Sequence, residues 1–221
     1  MFAVAIDGPS GAGKSSVSKA VAARLGFIYV DTGALYRTVG LYLIRNGILP
    51  EDADAVAAAL PDISVEMKHD KSGQRMLLCG EDVTDQIRSG DVSTAASKAS
   101  AIPAVRRFLF QLQTDMAEKY NVVMDGRDIG TVVLPHAQVK IFLTASPEER
   151  ARRRVAQLRR QGIPEDYDTV LREIKERDER DSSREVAPLK PCEGAILVDS
   201  TNNKKMEQTV NTICELIQKK L

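Results

Sequence analysis

The chain has 221 residues, 43% of them hydrophobic and 28% charged, and its formal net charge is +0. That length holds one core domain with insertions, and the balanced charge gives no electrostatic case for nucleic acid or an anionic membrane as the main partner. No apolar run approaches the ~18 residues of a membrane span, and the N-terminus carries neither a basic region nor an apolar stretch of secretory length. Cys79, Cys192 and Cys214 are odd in number and lack C-x-x-C spacing. Reduced thiols in a cytoplasmic protein are therefore expected, with no disulfide framework and no zinc knuckle.

The first apolar run, Phe2-Ala3-Val4-Ala5-Ile6, reads as a buried strand. Gly8-Pro9-Ser10-Gly11-Ala12-Gly13-Lys14-Ser15 follows it and fits the pattern G-x-x-x-x-G-K-S/T, and a helical pattern over 15–25 comes next, closing at Gly26. In that strand–loop–helix setting the glycines let backbone N–H groups converge on a polyphosphate, and the helix adds its positive end. Lys14 is placed to reach the β- and γ-phosphates and Ser15 to ligate Mg²⁺.

A second run, Phe27-Ile28-Tyr29-Val30, leads into Asp31-Thr32-Gly33-Ala34-Leu35-Tyr36-Arg37 and a helix over 34–45 that stops at Asn46-Gly47. Arg37 lies one turn from Gly33. Spacing alone leaves it open whether it grips an acceptor phosphate or is a surface Arg beside an N-capping Asp31. Residues 62–88 alternate, as in Ile63-Ser64-Val65-Glu66-Met67, turn at Asp70-Lys71-Ser72-Gly73, and predict a small antiparallel unit outside the main sheet. A long helix is expected from Pro103 to about Tyr120.

The third run, Val122-Val123-Met124, ends in Asp125-Gly126-Arg127-Asp128-Ile129-Gly130. Asp125 is positioned to share Mg²⁺ with Ser15, directly or through water, while Arg127 and Asp128 point to whatever lies opposite the donor phosphates. After the fourth run, Val139-Lys140-Ile141-Phe142-Leu143, Ser146-Pro147-Glu148-Glu149 predicts a capping box that opens an arginine-rich helix: Arg150, Arg152, Arg153, Arg154, Arg159 and Arg160. The break at 161–166 reads as the tip of a mobile lid before a second charged helix. At about 100° per residue, Arg177, Asp181 and Arg184 share one helical face within about 60°. Most such charge is a solvated face, yet one inward-turned Arg is worth roughly 10³–10⁵ in phosphoryl transfer. The last run is Ala195-Ile196-Leu197-Val198. Five β-branched runs without alternation predict a parallel sheet buried on both faces, and Asp31, Asp125 and Asp199 end three of them at the ligand-binding carboxyl edge. His69 and His136 sit near no nucleophile or metal-ligand cluster and are read as structural.

With these segments in view the chain resembles the bacterial cytidylate kinases of the nucleoside monophosphate kinase family. The likeness runs from Ile6 to Ser15, through 31–37, Ala95-Ala96-Ser97, 125–133 and Ile174-Lys175-Glu176-Arg177-Asp178, to Asp199-Ser200-Thr201. It implies an α/β P-loop NTPase fold: a five-stranded parallel sheet flanked by helices, forming one kinase domain over 1–221. Within it lie an antiparallel monophosphate-binding insert at 47–91 and a helical lid at 151–167. It implies transfer of the γ-phosphate of ATP, with Mg²⁺, to CMP or dCMP by a cytoplasmic monomer. By the same likeness Gly8, Pro9, Ser10, Gly11, Ala12, Gly13, Lys14, Ser15 and Ser16 bind ATP. Asp31 and Thr32 belong to the CMP site, in which Ser97, Arg106 and Asp128 read cytosine, and Arg177 and Asp181 face the sugar. Arg37, Arg127 and Arg184 hold the acceptor phosphate, and Arg153 or Arg154 acts from the lid. UMP or AMP as acceptor, or a non-catalytic nucleotide-binding module, are the competing readings. A GTP switch is disfavoured because Asn203-Lys204-Lys205-Met206 lacks the Asp of N-K-x-D.

Overall fold

The computed structural model describes residues 1–70, 73–203 and 205–221. In chain order the elements are β1 (Ala3–Asp7), α1 (Lys14–Leu25), β2 (Ile28–Asp31), α2 (Thr32–Arg45), α3 (Ala53–Ala59), β3 (Val65–Asp70), β4 (Gly73–Leu78), β5 (Glu81–Asp82), α4 (Gly90–Ala99), α5 (Pro103–Lys119), β6 (Val122–Gly126), a π-helical turn (Ile129–Val133), β7 (Val139–Thr144), α6 (Pro147–Arg160), α7 (Tyr167–Ser182), β8 (Ile196–Asp199) and α8 (Met206–Gln218). The chain divides into two compact units, the first made of 1–29 and 120–221, the second of 30–119.

Among the described residues the main sheet has five strands in the order β2-β6-β1-β7-β8. β1 pairs in parallel with both β6 and β7, and β7 with β8. Every residue of β1 is buried, which accounts for its unbroken apolar sequence: a central parallel strand has helices or loops on both faces. In the first unit Val4, Ile6, Val123, Ile141 and Leu143 form one face of the sheet and pack on Val17 and Val21 of α1 and Val210, Ile213 and Ile217 of α8. Each such side chain contributes about 1.5–3 kcal/mol by leaving water. α6 and α7 carry a smaller apolar core of their own, with Ala151, Val155 and Leu158 against Val170 and Ile174. Where the chain leaves this unit and where it re-enters, the backbone is joined: Ile28 N–H donates to the Asn121 carbonyl at 2.9 Å.

In the second unit α2 is the spine. Leu35, Val39 and Leu43 share a core with Val56, Leu60, Met76, Leu78, Val92, Val105 and Leu109. The antiparallel sheet β3-β4-β5 matches the expected alternating segment, with Val65 opposite Leu78 and Asp70 opposite Gly73. Lys71 and Ser72, the centre of the expected turn, lie outside the described residues.

Besides α8, for which no expectation was made, the periodicity did not announce three elements. α3 is a short Ala-rich stretch that begins where Asp52 accepts a hydrogen bond from Ala55 N–H. α4 mixes Gly, Ser, Thr and Val with three Ala, so its propensity is weak at the N-terminal half, and it packs closely on α2. The third is the π-helical turn, whose β-branched sequence reads as a strand.

Gly40 makes the α2–α4 contact possible. A Cβ there would stand 2.9 Å from Ala96 N and 3.1 Å from the Val92 carbonyl oxygen. Gly in mid-helix costs about 1 kcal/mol against Ala in propensity, and here the close approach of two backbones offsets that cost. Gly40→Leu is expected to force the helices apart and destabilise the protein by about 1–3 kcal/mol. Urea unfolding that gives the same midpoint as wild type would show that the contact is not limiting.

Candidate active site

The phosphate loop leaves β1 at Gly8. A side chain there would collide with β7, since a Cβ would stand 2.0 Å from the Leu143 carbonyl oxygen, and the backbone adopts φ +150°. Only glycine allows so tight an exit from the sheet. The loop runs to Gly13, the N-cap of α1, and no side chain caps that helix end. Its first amides are thus left to an anion. Lys14 is buried, and its Nζ donates to the Pro9 carbonyl at 2.9 Å. Burial and then the neighbouring Arg127 push the Lys14 pKa well below the usual lysine range, while Asp125 and Asp7 oppose the shift. Ser16 follows in the first turn of α1 and is exposed.

Asp125 lies buried near the end of β6 and engages two hydroxyls, one on each oxygen. Ser15 Oγ donates to its Oδ2 and Tyr29 Oη to its Oδ1, both at 2.9 Å. One carboxylate and one alcohol, both hard oxygen donors beside a phosphate loop, suit Mg²⁺, which takes one or two protein oxygens and completes its shell with phosphate and water. Among the described residues there is no cluster of three or more His, Cys, Asp or Glu able to cage a metal. Sequence reasoning missed Tyr29, which it counted only as part of an apolar strand.

The arginines converge on Asp181, whose side chain is 1% exposed. Arg127 Nε donates to Asp181 Oδ2 at 3.0 Å, Arg184 Nη2 donates to Oδ1, and Arg177 Nε stands 4.0 Å away. Burial opposes ionisation of this carboxyl, but Arg127, Arg184 and Arg177 outweigh it and hold the Asp181 pKa below the ordinary carboxylate range. The single helical face expected for the three residues needs correcting at one end. α7 stops at Ser182, and Arg184 reaches back to Asp181 from the segment beyond. Asp128 is buried and opens the π-helical turn, with its carbonyl accepting from Val132 N–H at 2.8 Å.

β1 runs one residue further than its apolar run, so Asp7 is a fourth acidic strand end. Its two carboxyl oxygens accept from Ile129 N–H and Gly130 N–H, each at 2.8 Å, and this clamp winds the β-branched sequence into a turn. Burial pushes the Asp7 pKa up to about 6, against the pull of those two amides. Between about pH 4 and 6 the folded state therefore binds the extra proton, and stability falls as pH rises through that window, by about 3 kcal/mol in all. Asp7→Asn is expected to remove this fall. Urea unfolding across pH 4–7 checks it, and a wild-type-to-variant difference that stays constant with pH would refute the assignment.

α6 opens with Ser146 Oγ accepting from Glu149 N–H at 3.2 Å and Pro147 in the first turn. The reciprocal half of the expected capping box is absent. Ser146 N–H donates instead to Thr201 Oγ1, and the Glu149 carboxylate is drawn away by Arg152 and Arg153. Of the consecutive arginines, Arg152 is solvated, Arg154 donates to Gln157 Oε1 at 3.1 Å, and Arg153 turns inward. Arg153 donates to Ser200 Oγ at 3.1 Å, to the Ser200 carbonyl at 2.7 Å and to the Ala12 carbonyl of the phosphate loop at 3.5 Å. Arg150 is buried deeper than any of them, and nothing in a run of similar arginines marked it out.

In the second unit Asp31 is the N-cap that one of the two readings of its spacing expects. It caps α2 by accepting from Ala34 N–H at 3.0 Å, and its other oxygen accepts from Arg37 Nη2 at 2.9 Å. Thr32 is buried as the first residue of α2. Arg106 on α5 donates to the Ser100 carbonyl at 3.1 Å, and its guanidinium lies 5.7 Å from the centroid of the Tyr36 ring. Ser97 is buried on α4, and its carbonyl accepts from Ser100 Oγ at 2.8 Å. The structure thus gathers Tyr36, Ser97, Ser100 and Arg106 in one neighbourhood.

Comparison with known proteins bears on this arrangement. The cytidylate kinase family model matches residues 4–219. A cytidylate kinase of Caldicellulosiruptor bescii is 47% identical over 216 residues, covering 98% of this chain and 95% of that protein. One from Caldanaerobacter subterraneus subsp. tengcongensis is 50% identical over 218 residues, covering 98% and 94%. Among solved structures, an uncharacterized protein from Eubacterium ventriosum aligns over 99% of both chains with a TM-score of 0.52 at 14% identity, a likeness of fold alone. No helix among the described residues is long and apolar enough to cross a membrane. With its phosphate loop, its Ser15–Asp125 pair and a full-length match of this kind, the chain belongs to the cytidylate kinase family.

Proposed function

We propose that this chain transfers the γ-phosphate of ATP to CMP or dCMP, yielding ADP and CDP or dCDP, and that it acts as a cytoplasmic monomer. The observation that carries the reading is the phosphate loop with Ser15 and Asp125 at 2.9 Å, in a chain matched by the cytidylate kinase family over residues 4–219. The loop 8–16, through the backbone N–H groups it has and Lys14, holds the donor phosphates. Ser15 and Asp125 hold Mg²⁺, which when bound neutralises charge on the β- and γ-oxygens. Of the two lid arginines Arg153, which reaches the Ala12 carbonyl of the phosphate loop, acts on the donor side.

On the acceptor side Arg37, Arg127 and Arg184 serve the monophosphate, Asp31 and Thr32 line the CMP site, Ser97, Arg106 and Asp128 serve the base, and Arg177 and Asp181 the sugar. Phosphoryl transfer asks little covalent chemistry of a protein and much positioning and positive charge. The buried ion-pair cluster on Asp181 supports this, because it holds Arg127 and Arg184 in fixed geometry before substrate arrives. The test is ADP release from ATP with CMP, dCMP, UMP, AMP and GMP in turn, with and without Mg²⁺. CMP- and dCMP-dependent turnover that needs Mg²⁺ is expected, and nucleotide binding without turnover on any acceptor would refute the reading.

A further inference from the structure

Arg150, in the first turn of α6, is 2% exposed, although a guanidinium is seldom buried unless it is fully paired. Its Nε donates to the Ala145 carbonyl at 2.8 Å. Nη1 donates to Asp178 Oδ1 at 3.0 Å and Nη2 to Asp178 Oδ2 at 2.5 Å, a two-pronged pair that joins α6 to α7. Nη1 also donates to the Ser10 carbonyl of the phosphate loop at 3.0 Å. The family resemblance gives Arg150 no role, and no nucleotide contact is needed to explain it.

The loop shows what this bond does. Lys14 takes the Pro9 carbonyl, Arg150 the Ser10 carbonyl and Arg153 the Ala12 carbonyl, so three of the loop's oxygens are drawn onto cations. A trans peptide is planar, and its C=O and the following N–H point in opposite directions. A Ser10 carbonyl tied to α6 therefore sets the Gly11 N–H away from α6. Left untied, that peptide unit is free to rotate and to turn its negative oxygen toward the phosphates.

We propose that Arg150, anchored by Asp178, is a positioning residue that fixes the Ser10–Gly11 peptide so that the loop presents N–H groups, and not carbonyl oxygens, to a polyphosphate. This rests on reading the loop as the ATP-phosphate site. The geometry requires a planar fork with a third N–H to spare, which Lys does not have.

The test is calorimetric titration of inorganic tripolyphosphate with Mg²⁺, and separately of CMP, into wild type, Arg150→Met and Arg150→Lys, with steady-state kinetics alongside. In both variants the tripolyphosphate Kd and the KM for ATP are expected to rise about tenfold, the scale of one charge-assisted hydrogen bond. The CMP Kd and kcat at saturating ATP stay within about twofold of wild type, since uniform binding is what is lost. Should Arg150→Met fail to fold, Arg150→Met/Asp178→Leu leaves no lone charge at the site and carries the same test. Wild-type tripolyphosphate affinity in Arg150→Met overturns the proposal, as does full rescue by Lys, which would make charge alone sufficient. Equal losses for tripolyphosphate and CMP also overturn it, because they mark a general structural role. If wild type itself does not bind tripolyphosphate, the donor-site reading falls and the proposal with it.

Discussion

With saturating ATP and Mg²⁺, kcat/KM for CMP is expected to exceed that for UMP by up to about 10⁴–10⁵. Cytosine presents an N4 amino donor that a carboxylate such as Asp128 can accept, whereas uracil puts a carbonyl oxygen in the same place. A site built to pair with one group rejects the analogue lacking it, because the site's own polar atoms are then left without partners. Asp128 suits that task in one respect visible in the fold: it is 5% exposed, so water offers little compensation for a mismatch. Asp128→Asn, which supplies an amide able to donate to a carbonyl, is expected to narrow the ratio. Initial rates for both nucleotides with both proteins decide the matter. Comparable kcat/KM values in wild type, or a variant that loses CMP activity with the ratio unchanged, would remove Asp128 from base reading and leave it a support for its loop.

Asp181→Ala is expected to lower the free energy of unfolding at pH 7 by about 3–5 kcal/mol, the usual cost of deleting one partner from a buried ion-pair set. The side chains of Arg127 and Arg184, 20% and 8% exposed, would lose the carboxylate that compensates them. The pH dependence separates this from simple loss of packing. The folded pKa of Asp181 is depressed, so its contribution is present above the unfolded carboxylate pKa and is lost as pH falls through the folded one. The difference between wild type and variant should therefore shrink below about pH 4. Urea midpoints at pH 7 and pH 3 check both statements. A loss under about 1 kcal/mol at pH 7 would mean the cluster behaves as solvated surface charge.

The core of the first unit was legible because its physics is local. A strand buried on both faces has to be apolar throughout, as the fully buried β1 is, and Gly8 to Ser15 between β1 and α1 marks the loop; the expectation of burial on both faces fails for β8, an edge strand whose Ile196 and Leu197 are exposed. Gly26, at φ +69°, likewise ends α1 where a left-handed residue is wanted. The elements that escaped the sequence depend on partners far along the chain. Ile129–Val133 has the composition of a strand and becomes a turn because Asp7, more than 120 residues earlier, takes its amides. α4 is helical because Gly40 admits it against α2. In the site, Arg153 and Arg154 are adjacent and chemically identical, and only Ser200 and the Ala12 carbonyl distinguish them. The residues of the phosphate loop and of 125–130 were expected from their spacing, and Ser97 and Arg106 only from the family resemblance, whereas Tyr29, Asp7 and Arg150, which hold other site groups in place, have no spacing to recognise.

The hydrogen bond from Ile28 N–H to the Asn121 carbonyl also bears on how this chain can change. It brings the exit and re-entry points of the first unit within 2.9 Å of each other, so the chain leaves that unit and returns to it at one place. A segment attached in that manner can be lengthened, shortened or replaced without rethreading β1, β6, β7 or β8. Under the proposed division of labour, Arg37, Ser97 and Arg106 can drift along the chain's inner loop, while Asp128 and the Asp181 cluster stay on the unit that grips the triphosphate.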